Sequence, residues 1–320
     1  MDGKLKNPFA IAGKRVWVAG QSGMVGSASV RRLAIEDCEI ISTSRAQLEL
    51  RDQGAVRKWM DRKRPDIIVV AAATVGGILV NSTRPAQFLY DNLVIETNII
   101  HGAYEVGVEK LLFLGSACVY PREAPQPVPE EALLTGPLEP TNQWYAIAKI
   151  SGIKLCEAYK KQYGCDFISA QPNNLYGEGD NFDLHSSHVI PALMVKAHNA
   201  KINQEASMEI WGTGLPMREF LHVEDLADAL VHLLKNYSGS SHINIGTGEE
   251  ISVGALAQSV ADTVGFTGRL MFNKSKPDGA PRKLLDSTRM KQLNWTATIG
   301  LEEGLRKTYK WYLEYVVDAV

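Results

Sequence analysis

Tyr145 and Lys149 stand four residues apart in Thr141-Asn-Gln-Trp-Tyr-Ala-Ile-Ala-Lys-Ile150, a stretch without glycine or proline that reads as the start of a helix. That spacing puts both side chains on one helical face. A phenol ordinarily titrates near ~10, too high to trade protons freely at neutral pH. An ammonium about 4 Å away contributes roughly 4 kcal/mol at an effective dielectric near 20, which is about three pKa units. A lysine so placed turns a tyrosine into a useful acid or base. Most such pairs simply lie on a solvated helix face, so this one gains meaning from its surroundings.

Upstream, the apolar strand Lys110-Leu-Leu-Phe-Leu114 ends in Gly115-Ser-Ala-Cys-Val-Tyr120, which places Ser116 and Cys118 at a strand end. A serine that donates to a carbonyl, a tyrosine that transfers the proton and a lysine that lowers the tyrosine pKa form a complete set for carbonyl reduction, provided a nucleotide supplies the hydride. A nucleotide signal opens the chain. Arg15-Val-Trp-Val-Ala-Gly20 reads as a strand running into Gly20-Gln-Ser-Gly23-Met-Val-Gly26, and helical character continues from Ser27 to Leu33. Strand, glycine turn and helix in that order aim free backbone N–H groups at a phosphate. The spacing is G-x-x-G-x-x-G rather than the more usual G-x-G-x-x-G, and a tight turn without a ligand fits it too. After the next strand, Glu39 to Thr43, no acid occurs until Glu49, and Arg45 stands where it can pair with a phosphate. An arginine there suits a ribose 2′-phosphate, which favours NADP(H) over NAD.

Alternating elements position these residues. A helix over 55–63 precedes the nearly all-apolar strand Asp66-Ile-Ile-Val-Val-Ala-Ala72, the pattern of a parallel strand buried on both faces. A helix from about Pro85 to Val106, the strand at 110–114, a proline-rich cover over 121–140, the Tyr145 helix running to about Tyr163 and the strand Asp166–Ala170 follow. The expected fold is α/β, a Rossmann-type doubly wound parallel sheet with a smaller C-terminal α/β region. The organisation reads as a tail over 1–13, a dinucleotide-binding domain over 14–177 and a substrate-binding region over 178–320, with a segment near 242–248 rejoining the first domain. An amphipathic helix over about 301–317 closes the chain.

With these residues in order, the chain resembles the extended short-chain dehydrogenase/reductase superfamily through Gly20-x-x-Gly23-x-x-Gly26, Ser116 and Tyr145-x-x-x-Lys149. Narrower blocks run through most of the chain: Leu138-Glu-Pro-Thr-Asn142, Asn174-Leu-Tyr-Gly177, Ser187-His-Val-Ile-Pro-Ala-Leu193, Pro216-Met-Arg-Glu-Phe-Leu-His-Val223 and Lys276-Pro-Asp-Gly279. They resemble the branch that takes GDP-4-keto-6-deoxy-D-mannose to GDP-L-fucose by 3,5-epimerisation and NADPH-dependent reduction at C4. The resemblance implies epimerase roles for Cys118 and His188. A thiol with a reference pKa near ~8.5 serves as base, and an imidazole near ~6.5 as proton donor.

The resemblance further implies that Gly20, Gln21, Ser22, Gly23, Met24, Val25 and Gly26 hold the NADP(H), with Arg45, Leu114, Gly115, Ser116, Tyr145, Lys149, Pro172, Asn173, Asn174, Leu175 and His188. It places Lys196, Trp211, Arg218 and Asp278 on the GDP end, where a guanidinium can grip a diphosphate bidentately. It also implies a homodimer. Ser22 stands where a basic residue is expected, Thr74 where lysine is common before Val-Gly-Gly, and Lys196 where arginine is usual. Two rival readings fit part of the pattern. One is a sugar-nucleotide epimerase that recycles a tightly held NAD(H); the other is a non-enzymatic NADP sensor.

Composition narrows the remaining classes. The 320 residues are 45% hydrophobic and 22% charged with a net charge of −2, so no basic field argues for nucleic acid or an acidic membrane surface. The longest apolar stretch, Ile67 to Val80, is interrupted by Thr74 and Gly76-Gly77 and is too short to span a bilayer. Cys38, Cys118, Cys156 and Cys165 show no metal-type spacing, and His185 and His188 lack a third ligand, so no metal is expected. A cytoplasmic enzyme is the expectation.

Overall fold

The computed structural model describes residues 3–276 and 278–318. Among these, six parallel strands form the central sheet: β1 (Arg15–Ala19), β2 (Glu39–Ile41), β3 (Ile67–Val70), β4 (Lys110–Leu114), β5 (Asp166–Pro172) and β10 (Ile243–Ile245). Their order is β10-β5-β4-β3-β1-β2. The strands β1, β3 and β4 are almost wholly buried, as continuous apolar runs between two helical layers must be. One layer holds α2 (Gln53–Lys63), a short α3 (Ile78–Thr83), α4 (Pro85–Val106) and α5 (Gln143–Tyr163); the other holds α1 (Met24–Leu33) and α7 (Val223–Asn236). Chain reversal between β1 and its neighbours puts the ends of β1, β3 and β4 at one crevice, the ligand edge of an open α/β sheet.

The remaining elements build the smaller part of the molecule. β6 (Asn174–Tyr176) pairs with β9 (Phe220–His222), and β7 (Ser207–Trp211) pairs with β12 (Arg269–Asn273). β8 (Met217–Arg218) lies between β11 (Ile251–Ser252) and β13 (Arg282–Lys283). Around them pack α6 (Val189–Ile202), α8 (Val253–Val264) and α10 (Leu301–Tyr312), with a third apolar core that includes Leu193, Met194, Leu256, Val260 and Leu305, whereas α9 (Thr288–Gln292) lies against β10 with Met290 in the core of the central sheet. No helix among the described residues is long and apolar enough to cross a membrane.

Several connections tie the parts together. β10 pairs in parallel with β5, Asn244 opposite Gln171, so the chain returns to the central sheet after its excursion. Of residues 1–13, Met1 and Asp2 lie outside the described residues. Leu5 and Phe9 donate backbone hydrogen bonds to Asn236 and Lys235 at 2.9 and 2.7 Å, and Ile11 is buried. The proline-rich segment 121–140 is pinned by the Val128 amide to the Leu284 carbonyl at 2.8 Å and by Asn244, whose amide nitrogen donates to the Val128 carbonyl at 2.9 Å.

Candidate active site

The first glycine turn is shaped by contact as well as by conformation. Gly20 has φ +90°, open to glycine at little strain, and a Cβ there would lie 2.7 Å from the Ala72 backbone. At Gly26 a Cβ would fall 2.0 Å from the Gly20 carbonyl oxygen, so α1 sits directly against the turn. Gly23 is the N-cap of α1 without a side-chain cap, which leaves the first-turn N–H groups turned toward the crevice. Around this cradle, Gln21 Oε1 and Thr43 Oγ1 are buried with no hydrogen-bond partner among the described residues. Arg45 is largely exposed and only loosely paired with Glu49 at 3.9 Å, because Glu49 is engaged by Arg51. A cradle that rejects side chains, free amides, orphaned polar atoms and an uncommitted guanidinium fit a dinucleotide phosphate.

At the end of β4, Gly115 hydrogen-bonds the Ala170 carbonyl at 2.9 Å, and the Ser116 amide donates to Gln171 Oε1 at 2.8 Å. A Cβ on Gly115 would meet that same Gln171 oxygen at 1.8 Å, so glycine is required for the approach. Ser116 then caps the short 3-10 turn Ala117–Val119, its Oγ accepting from the Cys118 amide at 3.4 Å. Across from this turn α5 presents Tyr145 and Lys149 on one face. The Lys149 ammonium is 5.8 Å from the Tyr145 ring centroid and 4.6 Å from that of Phe113.

The electrostatics differ from the expectation for Tyr145. Burial raises its phenol well above the ordinary value, with the Cys118 thiol and the Glu96 carboxylate pushing the same way. The physical reason is local: Lys149 is turned to Glu96, 3.0 Å away, and both are almost completely buried. Cys118 is raised above its ordinary value by burial, while Ser116 and the cations Lys283 and Lys149 pull it down. Glu96 and Lys283 carry no local motif; each acquires its place only when α4 packs on α5 and β13 pairs with β8.

Ser116, Cys118, Tyr145 and Lys149 thus converge at the β4 edge. His188 stands apart as the N-cap of α6, at the end of a loop whose Ser186 carbonyl accepts from the Gly77 amide at 3.1 Å. This loop crosses the β3 edge of the crevice. His188 reaches solvent there, yet desolvation by surrounding protein lowers its imidazole pKa. Leu114 and Pro172 are buried at the ends of β4 and β5, and Leu175 follows in β6. Asn173 is turned inward, its amide donating to Glu219, while Asn174 donates to the Glu219 carbonyl at 2.9 Å.

The four residues expected at the GDP end form one neighbourhood. Lys196 lies 5.1 Å from the ring centroid of the half-exposed Trp211, and Lys276 lies 5.0 Å from it. Asp278 fills the turn after β7, accepting from the Thr213 amide at 2.6 Å and hydroxyl at 2.8 Å. Arg218 donates to the Asp278 carbonyl at 3.4 Å, and desolvation lowers its pKa. Lys283 is paired in register with Arg218 and acts electrostatically on Cys118, linking this neighbourhood to the Tyr145 cluster.

A parallel sheet with a glycine-rich first turn and a serine, tyrosine and lysine meeting at the end of its fourth strand defines an extended short-chain dehydrogenase/reductase. Comparison with known proteins gives the branch. A profile of the NAD dependent epimerase/dehydratase family matches residues 16–246. A GDP-L-fucose synthase of Sinorhizobium fredii is 57% identical over 310 residues, covering 97% of this chain and 99% of the relative. The GDP-L-fucose synthase of Escherichia coli is 51% identical over 311 residues, covering 94% and 97%. The solved structure of a GDP-L-fucose synthetase from Naegleria fowleri bound to NADP superposes with a TM-score of 0.92 at 30% identity, covering 98% of this chain and 97% of that one. The chain belongs to the NAD dependent epimerase/dehydratase family and, within it, to the GDP-L-fucose synthases.

Proposed function

We infer that the protein is an NADP(H)-dependent, bifunctional enzyme that converts GDP-4-keto-6-deoxy-D-mannose to GDP-L-fucose. The observation that carries this reading is the convergence of Ser116, Cys118, Tyr145 and Lys149 on one strand end beside a glycine-rich turn. A C4 ketone acidifies the hydrogens on C3 and C5. Cys118 removes each of them, and His188 returns a proton to the opposite face. Ser116 then donates a hydrogen bond to the C4 oxygen, and Tyr145 supplies the proton that turns it into a hydroxyl. Bound NADPH supplies the hydride to C4.

The glycine turn and Arg45 hold the dinucleotide. Trp211, Lys196, Arg218 and Asp278 hold the GDP moiety, with Lys283 paired in register beside Arg218. The free cysteines accord with a reducing, cytoplasmic setting, and a homodimer is the assembly proposed.

Incubation with the keto sugar and NADPH should consume one NADPH for each GDP-L-fucose formed, and an absence of NADPH oxidation would sink the reading. Tyr145→Phe should lower that oxidation about 100-fold or more while leaving solvent deuterium incorporation at C3 and C5 in place. Cys118→Ser should suppress solvent deuterium incorporation at C3 and C5. Undiminished deuterium incorporation in that variant removes Cys118 from the mechanism.

A further inference from the structure

Behind Tyr145 the site is closed by a carboxylate that the chemistry above does not use. Glu96 lies on α4 and is 1% exposed, and its Oε1 is 3.0 Å from the ammonium of Lys149, itself 2% exposed. Beyond that ion pair neither Glu96 oxygen has a hydrogen-bond partner among the described residues. Isolating a carboxylate this completely is strongly unfavourable. Neighbouring turns of α4 fill the same layer with Ile95, Ile99 and Ile100, so filling space does not require an acid.

We propose that Glu96 is a positioning residue for the reduction at C4: it anchors the Lys149 ammonium beneath Tyr145 and offsets its charge. The assignment rests on the reductase reading given above. The ion pair fixes the ammonium over the Phe113 ring and on the same side as the Tyr145 ring. The titratable groups that face Glu96 are Lys149, Tyr145 and Cys156, all presented by α5. Burial raises Glu96 to about 7 against the downward pull of Lys149, and its negative charge in turn raises Tyr145. Tyr145 therefore stays protonated, ready to donate.

Glu96→Gln keeps the shape and an oxygen for Lys149 but removes the charge. With GDP-4-keto-6-deoxy-D-mannose as substrate, the variant should oxidise NADPH at least about tenfold more slowly, with deuterium incorporation at C3 and C5 within about twofold of wild type. The alkaline limb of its NADPH oxidation should move to lower pH by about half a unit or more, because Tyr145 loses a neighbouring negative charge. Glu96→Asp should recover part of the rate. An equal loss of exchange and reduction in both variants, or an unmoved alkaline limb, overturns the assignment. Wild-type protein that leaves NADPH unoxidised with this substrate overturns the reductase reading itself, and the assignment with it.

Discussion

At the scale of single residues, the proposed epimerisation pair sits on the unfavourable side of its own titration. Burial holds the Cys118 thiol above its ordinary value of 9.0 and the His188 imidazole below its ordinary 6.5. The base is ionised only above the first value and the acid protonated only below the second. Between them the fraction carrying both thiolate and imidazolium is flat, at about one molecule in 300 or fewer. Below the His188 value the imidazolium is saturated while thiolate falls about tenfold per pH unit; above the Cys118 value the imidazolium falls instead. Deuterium incorporation at C3 and C5 under kcat/KM conditions should therefore show a broad plateau from about pH 6.5 to 9. A narrow peak near neutrality would reassign the pair. Ser116, Tyr145 and Lys149 were legible as a set because strand end and helix start are local patterns, whereas Cys118 and His188 gained their proposed roles only through the family resemblance. Glu96 and Lys283 were not legible, since nothing in their own neighbourhoods distinguishes a site residue from a solvated charge. The expected lowering of the Tyr145 pKa failed for the same reason: Glu96, the partner that claims Lys149, lies on another helix.

At the scale of elements, α5 couples packing to chemistry. Gly152 lies one turn beyond Lys149, and a Cβ there would meet the Phe113 ring at 2.3 Å. The same ring supports the Lys149 ammonium at 4.6 Å. Gly152→Ala should push α5 away from β4 or displace Phe113, costing about 1–3 kcal/mol of stability as overpacking does. It should also slow NADPH oxidation, because the tyrosine and lysine ride on the displaced helix. Paired measurement of the thermal midpoint and kcat tests this, and an unchanged kcat beside a lowered midpoint would separate the helix position from the chemistry. The long helices α4 and α5 and the strand β4 were readable in the sequence nearly to the residue, because their apolar runs are long and end at Gly107, Gly164 and Gly115. The two- and three-residue strands of the smaller part were not, since their pairing depends on partners distant in the chain rather than on periodicity.

At the scale of the whole molecule, alternating apolar strands and helices announced a parallel sheet. The segment near 242–248, expected to rejoin the first domain, is β10 at the sheet edge, held to β5 by three residue pairs. Stability of the whole also depends on two opposed sets of carboxyls. Asp66, Asp166, Asp228 and Glu36 are held below their ordinary values by Arg15, Lys110, Arg32 and Lys235 respectively, outweighing burial. Such groups contribute fully above the unfolded carboxylate range near ~4, and that contribution is lost as pH falls through their lowered values. Glu96 and Asp180 are each raised to about 7 by burial. They act oppositely: the folded state binds their protons more tightly, so their contribution is complete below about 4 and is lost as pH climbs through about 7. Burial also lowers His222 and His242 to about 4, and their contribution, gained as pH rises to about 6.5, opposes that of Glu96 and Asp180 over most of the same range. A change of about 1 kcal/mol shows as roughly 2–4 °C of thermal midpoint in a chain of this order of size. Asp180 Oδ1 accepts from the Asn181 amide at 2.7 Å, but its buried Oδ2 has no partner among the described residues, and burial outweighs that one hydrogen bond. Asp180→Asn is neutral at every pH and removes one member of this balance, so its midpoint at pH 8 relative to that at pH 5.5 should be higher than the wild type's by a few degrees. A pH dependence unchanged by the substitution would place the sensitivity elsewhere.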